Sequence, residues 1–124
     1  MDELYIPGDL VFHYIPKTTI KKYVKVYVCS TNNVLSLEDM DGNLYDYIGV
    51  LYPIPLTQDI LEKNGWKKLY EKFFEKNVNN IRLTIELSEN FYVAINRIFI
   101  MEIHYIHELQ HLLFGLGLNS EMEV

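Results

Sequence analysis

The residues most able to do chemistry stand together near the end of this 124-residue chain, where His107-Glu108-Leu109-Gln110-His111 spells H-E-x-x-H. Two histidines one helical turn apart can bind zinc, and the glutamate between them can activate a metal-bound water, as in metallopeptidases. A catalytic zinc also needs a third protein ligand and an open coordination position. The longer metalloprotease pattern is broken: Phe114 stands where it has glycine, and Gly117 where it has its third histidine. Glu121 and Glu123 are the carboxylates among the 13 residues after His111, and no second helix is expected to hold them in place.

At about 100° per residue, a helix over this stretch gathers Tyr105, Ile106, Leu109, Leu112, Leu113 and Leu116 into one apolar stripe. His104, His107 and His111 then fall on the opposite side as a surface row that could capture stray metal without catalysing anything. The expectation is therefore no cofactor and no enzyme. The alternative is a zinc peptidase with His107 and His111 as ligands and Glu108 as base.

Other catalytic patterns are missing: there is no phosphate-cradling glycine loop, no cysteine pair and no Gly-x-Ser-x-Gly elbow. Lys17, Lys21, Lys22 and Lys25 cluster within nine residues, with Tyr23 and Tyr27 interleaved. Lys21, Lys22, Tyr23, Lys25 and Tyr27 are accordingly the candidate ligand-binding residues, against the plainer reading of a solvated strand face. The net charge of −6 works against recruiting a phosphate backbone, so nucleic acid is a disfavoured partner and an SH3-like nucleic-acid module a second alternative. Ten tyrosines suit either a pocket or oligomer interface or ordinary half-buried strands.

A single cysteine, Cys29, excludes an internal disulfide and points to a reducing compartment, the cytoplasm. The acidic start Met1-Asp2-Glu3-Leu4 is unlike a secretory signal, and no apolar run approaches the roughly 20 residues that span a bilayer. No membrane partner is expected.

These groups need elements to position them, and length and composition indicate a single α+β domain over residues 1–124. Strands are expected over Leu10–Ile15, Ile20–Val28, Val34–Glu38, Leu44–Ile48 and Val50–Tyr52, with Thr31-Asn32-Asn33 and Asp41-Gly42-Asn43 as turns. Close spacing favours a curved antiparallel sheet or an SH3-like partial barrel. Thr57 should cap a short helix over Gln58–Lys63 that Gly65 ends. Trp66–Lys76 is amphipathic, and helix and strand both fit it. Ile81–Leu87 and Phe91–Ile95 form a hairpin across Ser88-Glu89-Asn90, and a C-terminal amphipathic helix runs from about His104 to Leu116, stopped by Gly117.

Gly8-Asp9-Leu10-Val11, Pro53-Ile54-Pro55-Leu56-Thr57, Gly65-Trp66, Phe91-Tyr92 and the closing Ile103–Leu112 appear in that order. On these phrases the chain resembles a group of small uncharacterised proteins encoded by phages, prophages and mobile elements of Bacteroidota. Members commonly carry Gln in place of Glu108 and often Asn in place of His111, which removes a base and a ligand. The resemblance implies a non-enzymatic accessory protein in the bacterial cytoplasm. It would bind a host protein or withhold a small signalling molecule, such as a nucleotide, from host defence, and a homo-oligomer would be in keeping with a pocket between protomers.

Overall fold

A computed structural model describes residues 5–14, 21–29, 35–46 and 51–124. Within them the chain is mostly antiparallel sheet, with two short helices, an α+β arrangement weighted toward β. No helix among the described residues is long and apolar enough to cross a membrane.

The first sheet holds β1 (Leu10–Tyr14), β2 (Lys21–Cys29), β3 (Leu35–Asp39), β4 (Leu44–Asp46) and β5 (Leu51–Pro53) in the order β4-β3-β2-β1-β5. Alternation places Val24 and Val26 of β2 inside with Val11 and Leu37, while Tyr23 stays exposed. The expected turn at Asp41-Gly42-Asn43 forms: the Asp39 carboxylate accepts from the N–H of Asp41 and of Asn43, and Gly42 takes φ +85°. The expected Thr31-Asn32-Asn33 turn, Lys17, and the strand ends at Ile15, Ile20, Ile48 and Val50 lie outside the described residues.

β5 leads into α1 (Gln58–Lys63), whose Thr57 Oγ1 accepts from the Ile60 N–H at 3.2 Å, and Gly65 turns the chain out with φ +87°. The second sheet is a meander of β6 (Lys67–Tyr70), β7 (Phe73–Val78), β8 (Ile81–Leu87), β9 (Phe91–Ile95) and β10 (Ile98–Ile103). Trp66–Lys76 therefore resolves into strand pairing. The β7–β8 and β9–β10 connections are two-residue turns with both central residues left-handed, Asn79 and Asn80 in one, Asn96 and Arg97 in the other. β10 was not foreseen, and it displaces the start of the last helix, α2 (Ile106–Gly115), two residues beyond His104.

One face of the second sheet packs on both helices. Phe74, Leu83, Ile85 and Val93 meet Leu61, Trp66, Ile106, Leu109 and Leu113 in a core that Leu10 joins from the first sheet. Each fully buried Leu, Ile or Phe stabilises by roughly 1.5–3 kcal/mol. The other face, carrying Phe73, Thr84, Tyr92, Ala94 and Phe99, has no covering element among the described residues.

Candidate functional site

α2 begins where the chain leaves β10 and clips onto the segment before α1. The Leu56 N–H donates to the His104 carbonyl at 3.0 Å and the Ile106 N–H to the Ile54 carbonyl at 2.9 Å. Tyr105, extended at φ −127° and ψ 155°, is the N-cap. Glu108 reaches back over this end: its Oε1 accepts from the His104 N–H at 2.8 Å and the Tyr105 N–H at 2.9 Å. This is the reciprocal carboxylate of a helix N-terminus, satisfying N–H groups that lack helical partners and facing the positive end of the helix dipole. A carboxylate oxygen held by two backbone donors is not aimed at a water between His107 and His111.

The expected surface row of histidines is wrong. His107 is 2% exposed. Its ring stacks on Tyr105 (centroids 5.9 Å apart, 16° between planes) and meets Tyr5 edge-on at 5.1 Å. The reason is tertiary: residues 5–9 fold across the side of α2 that a helical wheel assigns to solvent. His111 is half-buried, and its Nε2 lies 2.7 Å from Oδ2 of the buried Asp9, which also accepts from the Ile6 N–H at 2.8 Å. His104 precedes the helix, exposed, 3.7 Å from the Glu102 carboxylate.

Gln110 completes the junction. Its Oε1 accepts from the buried Leu10 N–H at 2.9 Å, and its Nε2 donates to the carbonyls of Gly8 at 2.9 Å and Ser120 at 3.1 Å. Of the motif's central residues, Glu108 thus caps its own helix, Gln110 binds neighbouring segments and Leu109 is core. Among the described residues no three His, Cys, Asp or Glu side chains are grouped to hold a metal. The arrangement fastens the N-terminal segment to the last helix.

The structure brings only part of the candidate ligand set into view. The side chains of Lys21, Lys22 and Tyr27 lie outside the described residues. Tyr23 packs on Phe12 with centroids 4.8 Å apart. Lys25 lines a cleft of about 480 Å³ with Lys63, Lys76, Glu121 and Glu123. There the Lys63 ammonium donates to the Val124 carbonyl and the Lys76 ammonium to that of Asn64, and the two glutamates offset much of the remaining charge.

A better-equipped pocket lies on the open face of the second sheet. It measures about 310 Å³ and is lined by Leu69, Tyr70, Phe73, Arg82, Thr84, Ala94 and Arg97. Antiparallel register puts it there: Glu75 faces Thr84, Thr84 faces Ala94, and Asn77 faces Arg82, all on the side opposite Leu83, Ile85 and Val93. The rings of Tyr70 and Phe73 meet edge to face at 6.3 Å, and Tyr70 is 74% exposed. The Arg82 Nε lies 2.9 Å from a Glu75 carboxylate oxygen, an ion pair beside the pocket. Comparison with models of protein families, with curated proteins and with solved structures finds no match. The sequence signal for this pocket is the polar half of the alternation in Ile81–Leu87, which places Arg82 and Thr84 on the face opposite Leu83 and Ile85.

Proposed function

We propose that this chain is a non-enzymatic accessory protein of a phage or mobile element, acting in the bacterial cytoplasm by binding a small anionic molecule that carries a flat ring, the class to which nucleotide signals belong. One observation carries this reading: the pocket joins two exposed aromatic rings to two guanidinium groups. Rings recognise a planar base, and guanidinium forks suit phosphate better than any other side chain. A volume near 310 Å³ is at the lower end of the roughly 300–1,000 Å³ of small-molecule sites. The alternation of β8 and β9 holds Arg82 and Thr84 on rigid strands, which limits the ordering cost of binding.

A finer reading of the fold accompanies this: the first sheet is an SH3-like partial barrel. Support comes from the order β4-β3-β2-β1-β5, in which β5 returns to pair with β1, and from the bulge between Val26 and Val28 that bends the long β2.

Isothermal titration against a panel of mono-, di- and cyclic nucleotides tests the proposal. Binding should weaken at least tenfold in Arg97→Ala and in Tyr70→Ala and stay unchanged in Lys25→Ala. No heat from any nucleotide would sink the small-molecule reading and leave a host protein as the partner to seek by pull-down.

A further inference from the structure

Among the described residues four that are not glycine take a positive φ, and three of them, Asn79, Asn80 and Asn96, are asparagine. Asparagine enters the left-handed region readily because its short amide can bond the backbone nearby. The fourth is Arg97 at φ +71°, second in the β9–β10 turn, where glycine is the usual occupant. An arginine there costs stability that a glycine would not. Nothing in the fold offsets that cost: Arg97 is exposed, and among the described residues no hydrogen bond or ion pair reaches its side chain. The β7–β8 turn, which does not line the pocket, keeps asparagine at both left-handed positions. The turn that does line it departs from that pattern at one residue, and that residue is the one in the pocket.

The base of this side chain is held firmly. The Asn96 N–H donates to the Arg82 carbonyl at 2.8 Å and the Asn96 Oδ1 accepts from the Arg82 N–H at 2.9 Å, which ties the turn to β8 immediately beside Arg97. The two cations lining the pocket are unequal. The Arg82 Nε lies 2.9 Å from the Glu75 carboxylate oxygen that also accepts from the Asn77 amide at 3.0 Å, so a negative charge stands against it, whereas no carboxylate pairs with Arg97.

We propose that Arg97 is the phosphate-binding residue of this pocket and that the ligand is a nucleotide carrying a single phosphate group. The inference rests on the pocket being the binding site and goes beyond that reading by fixing the residue and the ligand's charge. One unpaired guanidinium fork matches one phosphate, with the base against the exposed ring of Tyr70. A second phosphate reaching toward Arg82 meets the Glu75 carboxylate, whose repulsion offsets the attraction.

Two variants and one pair of ligands test this in the full chain. Arg97→Gly should raise the urea midpoint, because glycine fits the left-handed turn, and yet weaken binding of adenosine or guanosine monophosphate at least tenfold. A gain in stability joined to a loss of binding is a result that a misfolded variant cannot give. In titration calorimetry the original protein should bind the mono- and diphosphate of one nucleoside within a few-fold of each other, and Glu75→Gln should shift that preference severalfold toward the diphosphate. An Arg97→Gly protein that binds as tightly as the original, or that unfolds at a lower urea concentration, would overturn the proposal and leave the pocket reading standing. A diphosphate bound more than tenfold tighter than the monophosphate would overturn the single-phosphate ligand in the same way. Silence from every nucleotide would instead overturn the pocket reading, and this inference with it.

Discussion

Replacing Gln110 by leucine separates a fastening role from a catalytic one. The substitution keeps volume and helix propensity but removes all three hydrogen bonds of the amide. The Leu10 N–H is buried and loses its acceptor outright, a cost of about 1–3 kcal/mol. The Gly8 and Ser120 carbonyls are only partly buried and can recruit water, so each adds no more than about 0.5 kcal/mol. Leucine regains some of this through apolar contact, leaving a net loss of about 1–3 kcal/mol. Urea denaturation followed by circular dichroism reads it directly: the midpoint should fall with the slope unchanged, since the surface exposed on unfolding is the same. A loss under about 0.5 kcal/mol, ordinary for surface substitutions, would refute the assignment of Gln110 as the tie between α2 and the first sheet.

Two further outcomes follow from the same helix. Glu108→Ala should cost about 1–2 kcal/mol by stripping the cap, and Glu108→Gln only about 0.5 kcal/mol because an amide oxygen still accepts from His104 and Tyr105; thermal melts of the pair check this ranking. Elemental analysis of purified, untagged protein should find well under one zinc per chain, with no difference in His111→Asn, whereas stoichiometric zinc lost in that variant would return His107 and His111 to the role of ligands.

Elements that satisfy their own local rules were legible in the sequence. Thr57 and Gly65 bracket α1 because a hydroxyl cap and a left-handed glycine are local requirements. The Ile81–Ile95 hairpin was legible because its inner face alternates without a break. Trp66–Lys76 stayed ambiguous because β6 is four residues of edge strand, too short for a period to show. β10 was missed for two physical reasons: Ile98–Met101 is apolar throughout and bulged, so nothing alternates, and its turn places Arg97 at φ +71°, where glycine is the usual signal. The candidate site failed differently. Hydrophobic periodicity counts histidine and glutamine as polar and sends them to solvent, but His107 and Gln110 are buried by residues 5–10, which arrive from a hundred positions away. No window along the chain contains that information.

The same long reach has a temporal meaning. Gln110 binds Leu10 and Gly8 across 100 and 102 positions, and contacts of such separation slow folding because a large loop must close before they reward it. At synthesis rates of about 5–20 residues per second, residues 8–10 emerge roughly 5 to 20 s before Gln110 does. During that interval the Leu10 N–H lacks its acceptor and Val11 and Val24 have only their own small cluster for shelter. The first sheet is thus made early and finished late, and the ribosome-bound chain must be kept from other strands until its final helix arrives.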